Sequence, residues 1–119
     1  WHVYGPLDLE ALRYCAQRLT GTHNFVRLSA NRGDMPETQR RLNPEKCTRT
    51  LQRIDVTEHG DTLEIELEGD GFLYKMVRMI VGSFIHVARG RAPAAWLTEL
   101  VESPQGLQTT QTAPACGLY

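Results

Sequence analysis

Residues 69 to 90 read Gly-Asp-Gly-Phe-Leu-Tyr-Lys-Met-Val-Arg-Met-Ile-Val-Gly-Ser-Phe-Ile-His-Val-Ala-Arg-Gly, a mostly apolar stretch with an arginine, Arg78, in its middle. Wound at 3.6 residues per turn, it places Gly71, Lys75, Arg78, Gly82, His86 and Arg89 on one narrow stripe. Phe72, Leu73, Met76, Val77, Ile80, Phe84, Val87 and Ala88 cover the rest. The pattern predicts a mostly buried helix with a cationic seam. A guanidinium held in such surroundings cannot shed its proton, so it must meet a carboxylate, a phosphate or a set of carbonyls. No acid lies between Gly71 and Arg91, so the partner comes from elsewhere in the chain, from another domain, or from a ligand. One reading makes Arg78 a donor to a reacting group; the other makes it a structural arginine on backbone carbonyls of its own domain. Gly82, one turn later on the same stripe, lets another segment come close and favours the first.

The elements that would position this helix can be read along the chain. Pro6 and Asp8 open a helix over 8–19, whose Leu9, Leu12, Cys15, Ala16 and Leu19 recur at helical spacing up to the Gly21 stop. Ser29 to Cys47 is polar and broken by Gly33, Pro36 and Pro44, and reads as a long surface loop. Arg49 to Glu58 and Thr62 to Glu68 form a half-buried antiparallel hairpin about His59-Gly60-Asp61. Its second strand turns Leu63, Ile65 and Leu67 inward and Glu64, Glu66 and Glu68 outward. After the Arg78 helix, Pro93 opens a short helix through Val101, and Cys116 to Tyr119 returns as a strand. The fold class is α+β, an antiparallel sheet with helices packed on one face.

At 119 residues the chain makes a single domain, 1–119, large enough for one core. Three dispersed cysteines, with no Cys-x-x-Cys pair and no histidine cluster, argue for a reducing compartment and against a zinc site. No stretch approaches the twenty or so apolar residues of a membrane span. The formal charge of −1 hides a segregated distribution. Residues 27–53 hold seven bases against three acids, 54–70 seven acids and no Lys or Arg, and 71–91 four bases and no acid. Such segregation fits a basic groove with an acidic back face, or strands exchanging salt bridges.

The run GDGFLYKMVRMIVG resembles the signature of TruA-type tRNA pseudouridine synthases, G-F-L-x-x-x-V-R-x-I-V-G. Three further stretches agree in order. Trp1, then Leu7-Asp8, then Leu19-Thr20-Gly21-Thr22-His23-Asn24-Phe25 is similar to the W…L…L-x-G-x-H-D-F segment. Thr48-Arg49-Thr50-Leu51 resembles the V-R-T-[IVL] strand entry, and Ala113-Pro114-Ala115-Cys116-Gly117-Leu118-Tyr119 the A-P-A-x-G-L-Y-L close. The resemblance implies that Arg78 ion-pairs with a nucleophilic aspartate and helps hold the target nucleotide, and that Leu118 packs against the base. An apolar residue on a terminal strand can equally be plain core. The family's aspartate sits in an R-T-D-x-G-V-H motif in the preceding half of the protein, and none of Asp8, Asp34, Asp55, Asp61 and Asp70 has those neighbours. The chain is therefore expected to be the C-terminal domain of such an enzyme, inactive alone. Its partners would be the N-terminal catalytic domain, tRNA at the anticodon stem-loop and a second copy in a homodimer. No cofactor and no metal are expected. The compartment would be cytoplasmic, with an organellar or nuclear home left open.

Lys75 departs from the neutral polar residue or histidine usual at that position in the family, and either contacts phosphate or snorkels to solvent. Arg27, Arg32, Arg40, Arg41, Lys46 and Arg49, in or beside the long loop, could clamp the tRNA backbone, as could Arg89 and Arg91 after the main helix. Arg53 is expected to pair across the hairpin with the outward glutamates; Arg49 stays open between the two roles. His23 reads as a loop-fixing hydrogen bonder and Trp96 as the staple of the last helix. The rival readings are a non-catalytic RNA-binding module and an assembly domain whose Arg78 seam meets an acidic protein.

Overall fold

A computed structural model describes residues 1–3, 5–30, 43–109 and 111–117. Helix α1, Leu9–Leu19, starts where the Asp8 carboxylate accepts the Ala11 N–H at 3.1 Å, and its buried Leu12, Cys15, Ala16 and Leu19 form the expected stripe. Asp8 also donates its own N–H to Ala88 O at 2.9 Å, which ties the start of α1 to the end of the second helix. Gly21, at φ 111°, turns the chain into a short strand, β1, Gly21–Asn24. Strands β2, Thr48–His59, and β3, Thr62–Gly69, follow, then helices α2, Met76–Ala88, and α3, Ala94–Glu102. The described strands form one antiparallel sheet in the order β1-β2-β3, and α1 packs on β2 and on both other helices.

The hairpin register runs from His59 opposite Thr62 to Arg53 opposite Glu68, then slips by one residue so that Leu51 faces Gly69. The extra residue, Gln52, is a β-bulge, and it is the reason that Leu51 and Ile54, three apart, are both buried. Leu63, Ile65 and Leu67 lean on the core while Glu64, Glu66 and Glu68 stay exposed, as the alternation requires. Phe25, Leu51, Met76, Ile80, Phe84 and Leu97 are among the fully buried side chains that join sheet to helices.

The structure differs from the sequence reading at three places. Strand β1 is present although Gly-Thr-His-Asn carries no apolar alternation; it exists because its backbone pairs with β2, Gly21 opposite Leu51 through Asn24 opposite Thr48. The main helix begins at Met76 rather than after the Gly69-Asp70-Gly71 breaker, so Gly71, Phe72, Leu73 and Lys75 precede it. At the far end Ala115–Gly117 is a 3-10 turn rather than the start of a strand. Leu118, Tyr119 and the greater part of the expected loop, residues 31–42, lie outside the described residues.

Cys15 and Cys47 are buried and Cys116 is exposed. Burial pushes the Cys15 thiol up to about 11 and raises that of Cys47, against the pull of Arg49. A maleimide titration of the native protein at neutral pH is expected to modify Cys116 alone, the other two reacting only after denaturant is added. Three thiols reacting together would contradict this packing.

Candidate active site

The approach to α2 is a tight turn. Met76 donates its N–H to Leu73 O at 3.0 Å, and Tyr74 O accepts the Ala30 N–H at 3.0 Å. Lys75, the residue before the helix, sits at φ 61°, the sole non-glycine with positive φ among the described residues. A left-handed residue with a side chain is a strained position of the kind that clusters at functional sites. The turn leaves Phe72 45% and Tyr74 49% exposed, with the Lys75 ammonium 5.6 Å from the Tyr74 ring centre. Phe72, expected in the core, is therefore a surface ring, and Lys75 is exposed beside the seam rather than on it.

Arg78, one turn into α2, is half-buried. Its Nε donates to Ala113 O at 2.8 Å, and Ala113 N donates back to the Arg78 carbonyl at 2.9 Å. The reciprocal pair lays residues 111–113 on the helix seam at Gly82. A Cβ there would stand 2.7 Å from Thr112 N and 2.8 Å from Ala113 N. The close approach expected at Gly82 is thus made by this chain's own C-terminal segment. Among the described residues no carboxylate pairs with Arg78, and Nη1 and Nη2 have no hydrogen-bond acceptor. The backbone-carbonyl reading of Arg78 is seen at Nε. Beyond Ala113 the chain turns through Pro114 to Gly117, where a Cβ would lie 3.0 Å from that of Trp1. Residues 113–117 are thus held at one end by α2 and at the other by Trp1.

The remaining cations divide by geometry. Arg49 is half-buried, and its Nη1 donates to Lys46 O at 3.0 Å and Thr48 O at 2.8 Å while its stem runs beside Gly71. It fixes the entry to β2 beside Gly71 and, among the described residues, pairs with no glutamate. Asp70 locks the same corner, its carboxylate accepting the Thr50 N–H at 3.0 Å. Arg53 does pair across the hairpin, with Glu66 and Glu68 at 3.2 Å each and with Asp55 on its own strand. Bonds to Asp55 first, then to the glutamates, hold its proton more tightly than usual. Arg27, grouped with the basic loop in the sequence, is turned inward instead. Its Nε donates to Leu107 O at 2.6 Å and its Nη1 to Ser103 O at 3.2 Å and Glu99 O at 3.3 Å, closing the end of α3 over Gly106. Its phosphate-clamp reading is corrected to a cap. Lys46 is exposed in a 3-10 turn, while Arg32, Arg40 and Arg41 lie outside the described residues.

Arg89 and Arg91 are exposed at the far end of α2, on the opposite side of the 111–113 segment from Arg78. His86 between them faces the Trp96 ring at 5.1 Å, and burial, then Arg91 and Arg89, push its pKa down. His23 makes the expected local bond, 3.3 Å to Thr20 O, but from β1 rather than from a loop. Among the described residues no group of three His, Cys, Asp or Glu could hold a metal ion, and no helix is long and apolar enough to cross a membrane.

A family model described as tRNA pseudouridine synthase matches residues 15–119, which hold every element described here except the start of α1. The chain belongs to the tRNA pseudouridine synthase family. Curated relatives agree along its length. It is 33% identical over 118 residues to tRNA pseudouridine synthase A of Pelobacter propionicus, covering 99% of this chain and 45% of that protein. It is 36% identical over 113 residues to the Exiguobacterium protein of the same name, covering 95% and 42%, and 36% identical over 121 residues to tRNA pseudouridine synthase A 1 of Protochlamydia amoebophila, covering 100% and 44%. The chain spans less than half the length of these synthase relatives. In this synthase chain, Arg78 and Ala113 are joined directly, and Arg89 and Arg91 line a pocket with Gln111 and Thr112 farther along α2. The exposure of Phe72 and Tyr74 could have been anticipated from the paired glycines at 69 and 71, which break the helix earlier than its apolar period suggests.

Gly82→Ala tests the seam. An ordinary helix interior gains about 1 kcal/mol from this change; here the added methyl collides with backbone, and overpacking of that kind costs about 1–3 kcal/mol. Urea unfolding is expected to show no gain and a net loss of up to about 2 kcal/mol. A gain would mean that the C-terminal segment does not lie on α2.

Proposed function

We propose that this chain is the C-terminal domain of a tRNA pseudouridine synthase and forms one wall of its active-site cleft. The reaction detaches uracil from its ribose, turns it and rejoins it through carbon five. The attacking aspartate belongs to the preceding half of the protein. Arg78 acts on it through the guanidinium fork left over after Nε has gone to Ala113, a planar donor suited to a carboxylate. That half-satisfied fork, on a face with no acid of its own among the described residues, is the observation that supports the reading. Leu118, five residues along from Ala113, closes the base from below. A uridine in a folded stem must be flipped out to react, which calls for a slot lined with cations between two domains. Lys75, on its strained turn, Arg49, Arg89 and Arg91 hold the RNA. The exposed Phe72 and Tyr74 suit the docking surface of the catalytic domain. The enzyme works without cofactor or metal, as a homodimer, in the cytoplasm.

In the longer protein that carries this chain, Arg78→Ala is expected to abolish turnover while leaving tRNA binding within about tenfold, or about 1.4 kcal/mol. Wild-type-like turnover would remove Arg78 from the chemistry. Replacing Arg89 and Arg91 together by alanine should flatten the salt dependence of tRNA binding by about two units of slope. An unchanged slope would leave an assembly domain as the better reading.

A further inference from the structure

Arg89, Arg91 and Trp1 border a pocket of about 240 Å³ whose other walls are Gly82, Ile85, His86, Gln111 and Thr112. None of its lining residues is acidic. The two arginines are not needed to cap α2. Its last carbonyls are already taken by backbone donors: Ile85 O by Arg89 N at 2.9 Å, His86 O by Arg91 N at 3.1 Å, Val87 O by Gly90 N at 3.0 Å and Ala88 O by Asp8 N at 2.9 Å. Neither guanidinium has a salt-bridge partner among the described residues. Two like charges two residues apart on one pocket wall are relieved by an anion.

The rest of the pocket states what kind of anion. Trp1 lines the pocket, is 48% exposed and has its backbone and Cβ against Gly117, so it brings an aromatic side chain to the border of the space. Ile85 gives an apolar floor, and the side-chain amide of Gln111 has no hydrogen-bond partner among the described residues. A planar ring, a cationic pair and a free amide around one small space are the elements that bind an unpaired nucleotide: stacking for the base, guanidinium for the phosphate. The volume lies below the roughly 300 Å³ at which ordinary ligand sites begin, which limits an occupant to one nucleotide at most and excludes a duplex. The Gln111–Ala113 segment separates it from Arg78, which stands eleven residues, or roughly 16 Å, back along the helix from Arg89. A nucleotide held here is not the one that reacts.

We propose that this pocket is a second RNA subsite, taking a single unpaired nucleotide with its phosphate between Arg89 and Arg91 and its base against Trp1. The proposal rests on the RNA-binding reading above and assigns it a place and a chemistry. The test is an NMR titration of the ¹⁵N-labelled chain with 5′-phosphorylated triuridylate, inorganic phosphate, an abasic trinucleotide and hexaglutamate. Triuridylate is expected to shift the Trp1 indole and the Gly82 and Thr112 amides, and to bind at least tenfold tighter than the other three probes. Arg89→Ala with Arg91→Ala should weaken it at least tenfold, and Trp1→Phe should keep it within threefold where Trp1→Ala does not. The arginine variant, at exposed positions, decides the matter if Trp1→Ala disturbs folding. Equal binding of triuridylate and the abasic probe, or of triuridylate and hexaglutamate, overturns the nucleotide assignment. Shifts confined to the Phe72–Lys75 turn overturn the subsite but leave the RNA reading standing; no binding of triuridylate or tRNA overturns both.

Discussion

The two hydrogen bonds between Arg78 and Ala113 organise the functional face of this domain. A helix seam cannot ordinarily receive another backbone at van der Waals distance, and here it does so because Gly82 removes the obstruction one turn beyond the arginine. The arrangement commits part of the Arg78 guanidinium to structure and thereby fixes its plane. A guanidinium pinned at Nε loses less freedom when its remaining nitrogens meet a carboxylate or phosphate than one free on a flexible stem. The structural role of Arg78 is carried by Nε, and Nη1 and Nη2 have no hydrogen-bond acceptor among the described residues.

The sheet and the last helix support that arrangement at two corners of the domain. Arg49 and Asp70 bind the start of β2 to the end of β3, and the Phe72 turn leaves from that corner toward α2. At the other side Arg27 gathers the carbonyls of Glu99, Ser103 and Leu107, and Thr109 N returns to Arg27 O at 2.9 Å. The chain is thus guided from α3 back over the helix to the seam. The outward glutamates of the hairpin stay exposed, and Arg53 pairs with Glu66 and Glu68 and with Asp55.

Much of this was legible where local rules decide. Asp8 and the spacing of Leu12, Cys15, Ala16 and Leu19 define α1, the Leu-Glu alternation defines β3, and the cross-strand role of Arg53 follows from its neighbours. The illegible parts depend on distant partners. Gly21 to Asn24 has no strand pattern of its own and takes its form from β2. Arg27 looks like any surface base until carbonyls more than seventy residues away are brought to it. Phe72 was misplaced because apolar periodicity does not announce where a helix begins, and Lys75 in the left-handed region ends the helical geometry on that side. Cys116 and Gly117 form a turn because the chain just before them bonds to α2 through Ala113 rather than to a strand. The need of Arg78 for a partner was plain from its surroundings; that the partner would be a carbonyl on the C-terminal segment was not.

Amide hydrogen exchange at Ala113 tests the clamp most directly, since its N–H is donated to the Arg78 carbonyl and its carbonyl accepts Arg78 Nε. In the unaltered chain the Ala113 amide should be protected, and in Arg78→Ala it should lose at least tenfold of that protection while Ile80 and Phe84 in the core of α2 keep theirs. An Ala113 amide that exchanges at the rate of a free peptide, or that is protected equally in both proteins, would contradict the arrangement.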